Sequence, residues 1–109
     1  MTSQDQQVLE QLDVWLNQNY QVWLVTVVET YGSSPRQPGA MLALRADGVL
    51  LGSVSGGCIE DELIQRVRLA ELSTKKAELV TFGETQEEQQ RFKLPCGGSI
   101  RLLVEPVGN

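Results

Sequence analysis

One hundred and nine residues, 41% of them apolar and 21% charged, make one ordinary globular domain with a single modest core. Fourteen acids against nine bases leave a formal charge of −5, which excludes the basic face that nonspecific nucleic-acid binding needs, but not a small anion held by backbone amides and an arginine or two. No apolar run approaches the ~20 residues that span a bilayer, and with no histidine and two cysteines the chain has neither a Ser-His or Cys-His couple nor the ligands for a structural zinc or a disulfide framework.

The chain opens on a polar stretch without a signal-peptide core, so a cytoplasmic location is expected. In SQDQQVLEQLDVWLNQN, residues 3–19, Val8, Leu12, Trp15 and Leu16 recur at helical spacing opposite a face of Gln and Asp. Ser3 with Gln6 fits a capping box, and Asn17 and Asn19 suit the helix end. Residues 21–30, QVWLVTVVET, are β-branched or aromatic without alternation, as in a strand covered on both faces. YGSSPRQPG, residues 31–39, is an irregular loop. A hairpin follows, with strands 40–45 and 49–52 about a turn at Ala46-Asp47-Gly48.

A second Gly/Ser loop, residues 53–57, runs directly into a helix over 58–72. Its apolar face is Ile59, Leu63, Val67 and Ala70, and its first turn carries Glu60, Asp61 and Glu62. Residues 77–83 read as a strand, 84–93 as a surface turn or short helix, 95–98 as a third glycine loop and 99–107 as a last strand. The order predicts a single α+β domain over 1–109, a mixed sheet of about five strands with two main helices packed against it. Trp15 and Trp23 are expected in the core.

Glycine is concentrated in the three loops, next to strand or helix ends, where it lets backbone approach a ligand closely. Any one of these loops could be nothing more than a tight turn. The second has the most specific physics: Gly52-Ser53-Val54-Ser55-Gly56-Gly57-Cys58 ends on helix N–H groups that favour a phosphate, a carboxylate or a thiolate. The acids Glu60, Asp61 and Glu62 act in the opposite direction. The loop is neither a Walker loop nor a dinucleotide fingerprint, since no Lys-Ser/Thr follows it and G-x-G-x-x-G is absent.

Cys96 lies between Pro95 and the pair Gly97-Gly98. A lone cysteine is often just a small buried apolar residue, but in a glycine loop it has poor core neighbours, and thiolates are soft ligands and sulfur carriers. Arg36, set between Pro35 and Gln37, is either a solvated loop charge or a bidentate phosphate ligand. Ser33, Ser34, Ser53 and Ser55 could donate to the same anion or satisfy turns. Glu84, Glu87 and Glu88 read as a solvated face.

Three runs, YGSSPRQPGAML (31–42), DGVLLGSVSGGCIEDEL (47–63) and LPCGGSIRLLVEP (94–106), together resemble the N-terminal domain of the XdhC/CoxI family. The resemblance implies an accessory protein rather than a turnover enzyme. Such a protein binds the molybdenum cofactor (molybdopterin), assists its sulfuration with a cysteine desulfurase and hands it to a molybdenum hydroxylase apoenzyme such as xanthine dehydrogenase; homodimers are also implied. It places Cys58 and Cys96 as candidate molybdenum or sulfur contacts, Gly56, Gly57, Gly97 and Gly98 as points of backbone access, and Arg36 and Ser34, with Ser55, near the pterin phosphate. Family members continue into a second, Rossmann-type domain, and this sequence ends at Asn109. Two other readings compete. In one, Cys58 is the nucleophile of a thiol enzyme, activated by the helix terminus and Arg36. In the other, the domain is an interaction module that docks the client enzyme or a second copy.

Overall fold

A computed structural model describes residues 3–31, 38–54, 58–91 and 99–108. The elements follow in the order α1 (Ser3–Asn17), β1 (Val22–Tyr31), β2 (Met41–Arg45), β3 (Leu50–Gly52), α2 (Cys58–Arg68), β4 (Glu78–Phe82), α3 (Gln86–Arg91) and β5 (Ser99–Val107). The five strands form one sheet in the order β3-β2-β1-β5-β4.

Every neighbouring pair in that sheet is antiparallel. The α+β class and the two packed helices are as expected, but the expected mixed sheet is corrected to an antiparallel one. The reason is where β5 goes. The connection through α2 does carry the chain from β3 to a strand of the same direction, β4, but the two end at opposite edges. The last strand inserts between β1 and β4 and runs against both, so no two parallel strands are adjacent.

Helices cover both faces. On one face α1 places Val8, Leu12 and Trp15 against Val22 and Ala43, flanked by Leu24, Met41, Leu51 and Val107. On the other, Ile59, Leu63 and Val67 of α2 meet Trp23, Val25, Val27, Leu42, Leu44, Phe82, Ile100, Leu102 and Val104. The central strand thus sends odd and even residues into two different cores, which is why β1 shows no polar alternation. Each of these large side chains gains about 1.5–3 kcal/mol by leaving water. Trp23 also satisfies its indole, which donates to the Ser73 carbonyl at 2.8 Å.

Both long helices end on a residue in the left-handed region, Asn19 at φ 68° and Ala70 at φ 56°. The Tyr20 amide donates to the Trp15 carbonyl and the Glu71 amide to Arg66, the six-to-one bonds of a Schellman stop. The short helix α3 is capped reciprocally: the Glu88 amide donates to Thr85 Oγ1, and the Glu88 carboxylate accepts from the Gly83 and Glu84 amides. Glu88 is therefore more than part of a solvated acidic face. Strand β1 carries a bulge between Val27 and Glu29, where it gains one residue on β5.

Candidate functional site

Strand direction decides where the three glycine loops begin and end. β1 leaves the sheet at Tyr31, whose register partner is Ser99, the first residue of β5. The segment that follows one and the segment that precedes the other are therefore rooted side by side. β3 runs in the same direction as β1 and leaves at Gly52, opposite Leu42. β4 also runs that way and leaves at Phe82, opposite Ile100. All three loops thus have their roots at one end of the sheet.

The helices tighten this grouping. α2 starts at Cys58 directly after the second loop, and its first turns pack beside Phe82 and Ile100. One turn further on, Glu62 accepts from Arg91 at 3.0 Å and from Arg66 at 3.1 Å. Arg91 is the last residue of α3, just before the segment 92–98. The Arg66 guanidinium in turn lies 5.0 Å from the centre of the Phe82 ring.

Of the residues assigned to the site from the sequence, Cys58 alone falls within the described residues. It is the first residue of α2, half-buried, and packs against the larger core. Ser34, Arg36, Ser55, Gly56, Gly57, Cys96, Gly97 and Gly98 lie outside the described residues. Among the described residues no group of three or more Cys, Asp or Glu side chains is gathered as a metal site.

The three acids following Cys58 are not equivalent. Glu62 is neutralised by its two arginines, and Asp61 faces solvent. Glu60 turns inward and is the one charged side chain buried among the described residues, 7% exposed. Its Oε2 accepts from the Ser53 hydroxyl at 3.0 Å and from the Val54 amide at 2.9 Å. Sequence reasoning treated Glu60 as one of a set of dipole-complementing acids and missed this role. A signal existed: Glu60, Leu63 and Val67 stand at i, i+3 and i+7, so Glu60 shares the buried stripe of α2.

Gly52 is the hinge between β3 and the second loop. It has φ +103°, and a Cβ there would stand 2.6 Å from the Met41 carbonyl oxygen and 3.0 Å from both Leu42 Cα and Val8 Cγ2. The close approach of β3 to β2 and α1 leaves room only for glycine. A shallow cleft at the far end of the sheet, lined by Gln21, Thr74, Lys75, Pro106, Val107 and Gly108, is remote from these loops and contains no thiol.

The strand order and the loop roots define a small antiparallel-sheet domain, layered between helices, whose three glycine loops are rooted at one end of the sheet. The chain belongs to the XdhC and CoxI family, whose sequence model matches residues 15–83, a span that includes the first two loops. It is 37% identical over 84 residues to the molybdenum cofactor insertion chaperone PaoD of Escherichia coli, covering 77% of this chain and 26% of that protein. It is 36% identical over 99 residues to a probable xanthine dehydrogenase subunit from Bacillus subtilis, covering 88% and 29%. A crystal structure described as a xanthine dehydrogenase from Bacillus halodurans superposes with a TM-score of 0.67 at 27% identity, over 91% of this chain and 30% of that one. The chain therefore spans between a quarter and a third of the length of each of these three relatives.

Proposed function

We propose that this domain holds the molybdenum cofactor at the end of the sheet where its three loops are rooted. It would act as the N-terminal-type domain of a non-catalytic accessory protein, the domain that family members join to a Rossmann-type one. The observation that carries this reading is the common root of the loops that contain both cysteines, with Tyr31 beside Ser99 and α2 starting at Cys58. Likeness to a protein named as a molybdenum cofactor insertion chaperone supports the cargo.

In this reading Cys58 and Cys96 supply soft sulfur toward the metal or the transferred sulfur. Gly56, Gly57, Gly97 and Gly98 give backbone access, and Arg36, Ser34 and Ser55 bind the pterin phosphate. The protein passes the cofactor, after sulfuration with a cysteine desulfurase, to an apoenzyme of the xanthine dehydrogenase type. This reading puts the handover in the cytoplasm. No helix among the described residues is long and apolar enough to cross a membrane.

The test is equilibrium binding of molybdenum cofactor released anaerobically from a molybdoenzyme. Cys58→Ala and Cys96→Ala are each expected to weaken uptake by about tenfold, on the order of one charge-assisted contact. Wild-type affinity in both variants would remove the thiols from the site.

One observation favours a docking role in addition. α1 packs mainly over β1, β2 and β3, reaching β5 at Val107, and on β4 beyond it Leu79 is 62% exposed. Leu79→Lys is expected to weaken capture of the client apoenzyme without altering cofactor uptake.

A further inference from the structure

We infer that the outer edge of β4 is a self-association surface, through which two copies of this chain pair antiparallel into one continuous sheet. The inference goes beyond the function proposed above and does not depend on it. β4 is the last strand of the sheet, and β5 is its only neighbour there. Ladder parity decides which of its main-chain groups point away from β5. Val27 exchanges bonds with Gly39 and Ala40, so the odd residues of β1 bond toward β2 and the even ones toward β5. Val22, Leu24 and Thr26 therefore take Val107, Glu105 and Leu103, which turns Ile100, Leu102 and Val104 toward β4. Pro106 falls in the same set, past the end of β4, where its missing N–H breaks no ladder bond. Phe82, Val80 and Glu78 thus bond inward. The N–H and C=O of Leu79 and Thr81 face outward, with no partner among the described residues.

Sheets normally blunt such an edge with a charge, a proline or a bulge. Leu79-Val80-Thr81-Phe82 carries none of these, and Leu79 is exposed. The occupant that fits is a second copy. A two-fold axis at Val80 sets Leu79 of each copy opposite Thr81 of the other, so outward groups meet outward groups and each pair exchanges both its bonds. The same axis lays the approach to β4 in one copy, with Lys75 and Lys76, beside the exit from β4 in the other, with Glu84 and Glu87. All four side chains are exposed, and none is in an ion pair among the described residues. An edge that is basic before its strand and acidic after it complements itself only when antiparallel. The side chains of Leu79 and Leu103 stay on the α1 side of the sheet, opposite Val80 and Leu102, so the pairing leaves that face open.

The experiment is sedimentation equilibrium of the full chain over a range of protein concentration. Wild type should associate reversibly with a dissociation constant in the micromolar range, as a small edge interface implies. Thr81→Pro and Leu79→Pro each remove an outward donor and none that bonds β5. Both should weaken association by about tenfold or more while keeping a cooperative melt. Lys75→Glu with Lys76→Glu should weaken it about tenfold, and adding Glu84→Lys with Glu87→Lys should restore it to within about threefold of wild type. The four exchanges cancel in net charge, so recovery reads the placement of charge rather than its total. These variants also serve if the proline ones do not fold.

A wild-type chain that stays monomeric at millimolar concentration would overturn the inference. So would folded proline variants that associate like wild type, or a fourfold variant no tighter than the double one. A monomeric wild type whose capture of the client apoenzyme is lost in Thr81→Pro would overturn it too, and would give the edge to an extended segment of that enzyme.

Discussion

The carbonyl oxygen of Met41 occupies the space that a side chain on Gly52 would need, 2.6 Å from the ideal Cβ position. Positive φ and backbone contact act together here, and neither can relax by turning a side chain. Gly52→Ala is expected to cost about 2–4 kcal/mol, the sum of a strained φ and a forced shift of packed backbone. Urea unfolding of the variant beside wild type measures it. A midpoint within error of wild type would mean that β3 stands further from β2 than the structure places it.

Ala70 invites the opposite change. It closes α2 in the left-handed region at φ 56°, where a Cβ is unfavourable. Ala70→Gly should stabilise the domain by about 0.5–1 kcal/mol, raising Tm by a few degrees. Asn19→Gly, at the end of α1, should gain less, because asparagine already tolerates that conformation. Calorimetry on the two variants separates the cases, and a loss of stability in Ala70→Gly would contradict the Schellman assignment.

Two residues on β4 should differ sharply. Phe82 is 1% exposed and Leu79 is 62% exposed. Truncating Phe82 to alanine empties core volume and strips the ring from beneath Arg66, at a cost of about 3–5 kcal/mol. Leu79→Ala should lie within about 0.5 kcal/mol of wild type. Thermal unfolding of both variants tests which face of β4 is the inner one.

Arg45 and Asp47 form a two-pronged ion pair at 2.7 and 2.8 Å across the hairpin turn, with the guanidinium stacked 4.1 Å from the Tyr20 ring centre. The hydrogen bond from Arg45 holds the Asp47 carboxyl below the ordinary aspartate range. A lowered folded-state value means that the pair stabilises fully above the unfolded value, about pH 4, and loses that contribution as the pH falls through the folded one. Asp47 is half exposed, so the effect is small. Asp47→Asn should be less stable than wild type at pH 7, with the gap closing toward pH 3. A gap that stays constant over that interval would show that the charge of Asp47 contributes nothing.

Much of this was legible in the residues. The β-branched run of β1 announced a strand buried on both sides, and the Ile59, Leu63, Val67 stripe located α2 and its inner face. The hairpin turn and Cys58 at a helix start were equally plain. What could not be read was long-range. Nothing in the spacing says that β5, last in sequence, inserts between β1 and β4, and on that insertion depend both the antiparallel sheet and the neighbourhood of Tyr31 and Ser99. Glu60 was hidden for a different reason. Its neighbours Asp61 and Glu62 suggested a shared role for all three, whereas helical phase turns only Glu60 inward.

The bulge in β1 has a mechanical result. Beyond Val27, which still exchanges hydrogen bonds with Gly39 and Ala40, the strand continues to Tyr31 with β5 as its only ladder neighbour among the described residues. That end is nevertheless braced, because β4 pairs β5 as far as Ile100, which is fully buried. The extra residue in β1 is thus taken up without freeing the strand end, and Tyr31 and Ser99 stand one residue past a three-stranded edge. Cys58 packs against the same core as Phe82 and Ile100, so the thiol and the roots of two glycine segments are held by one set of contacts.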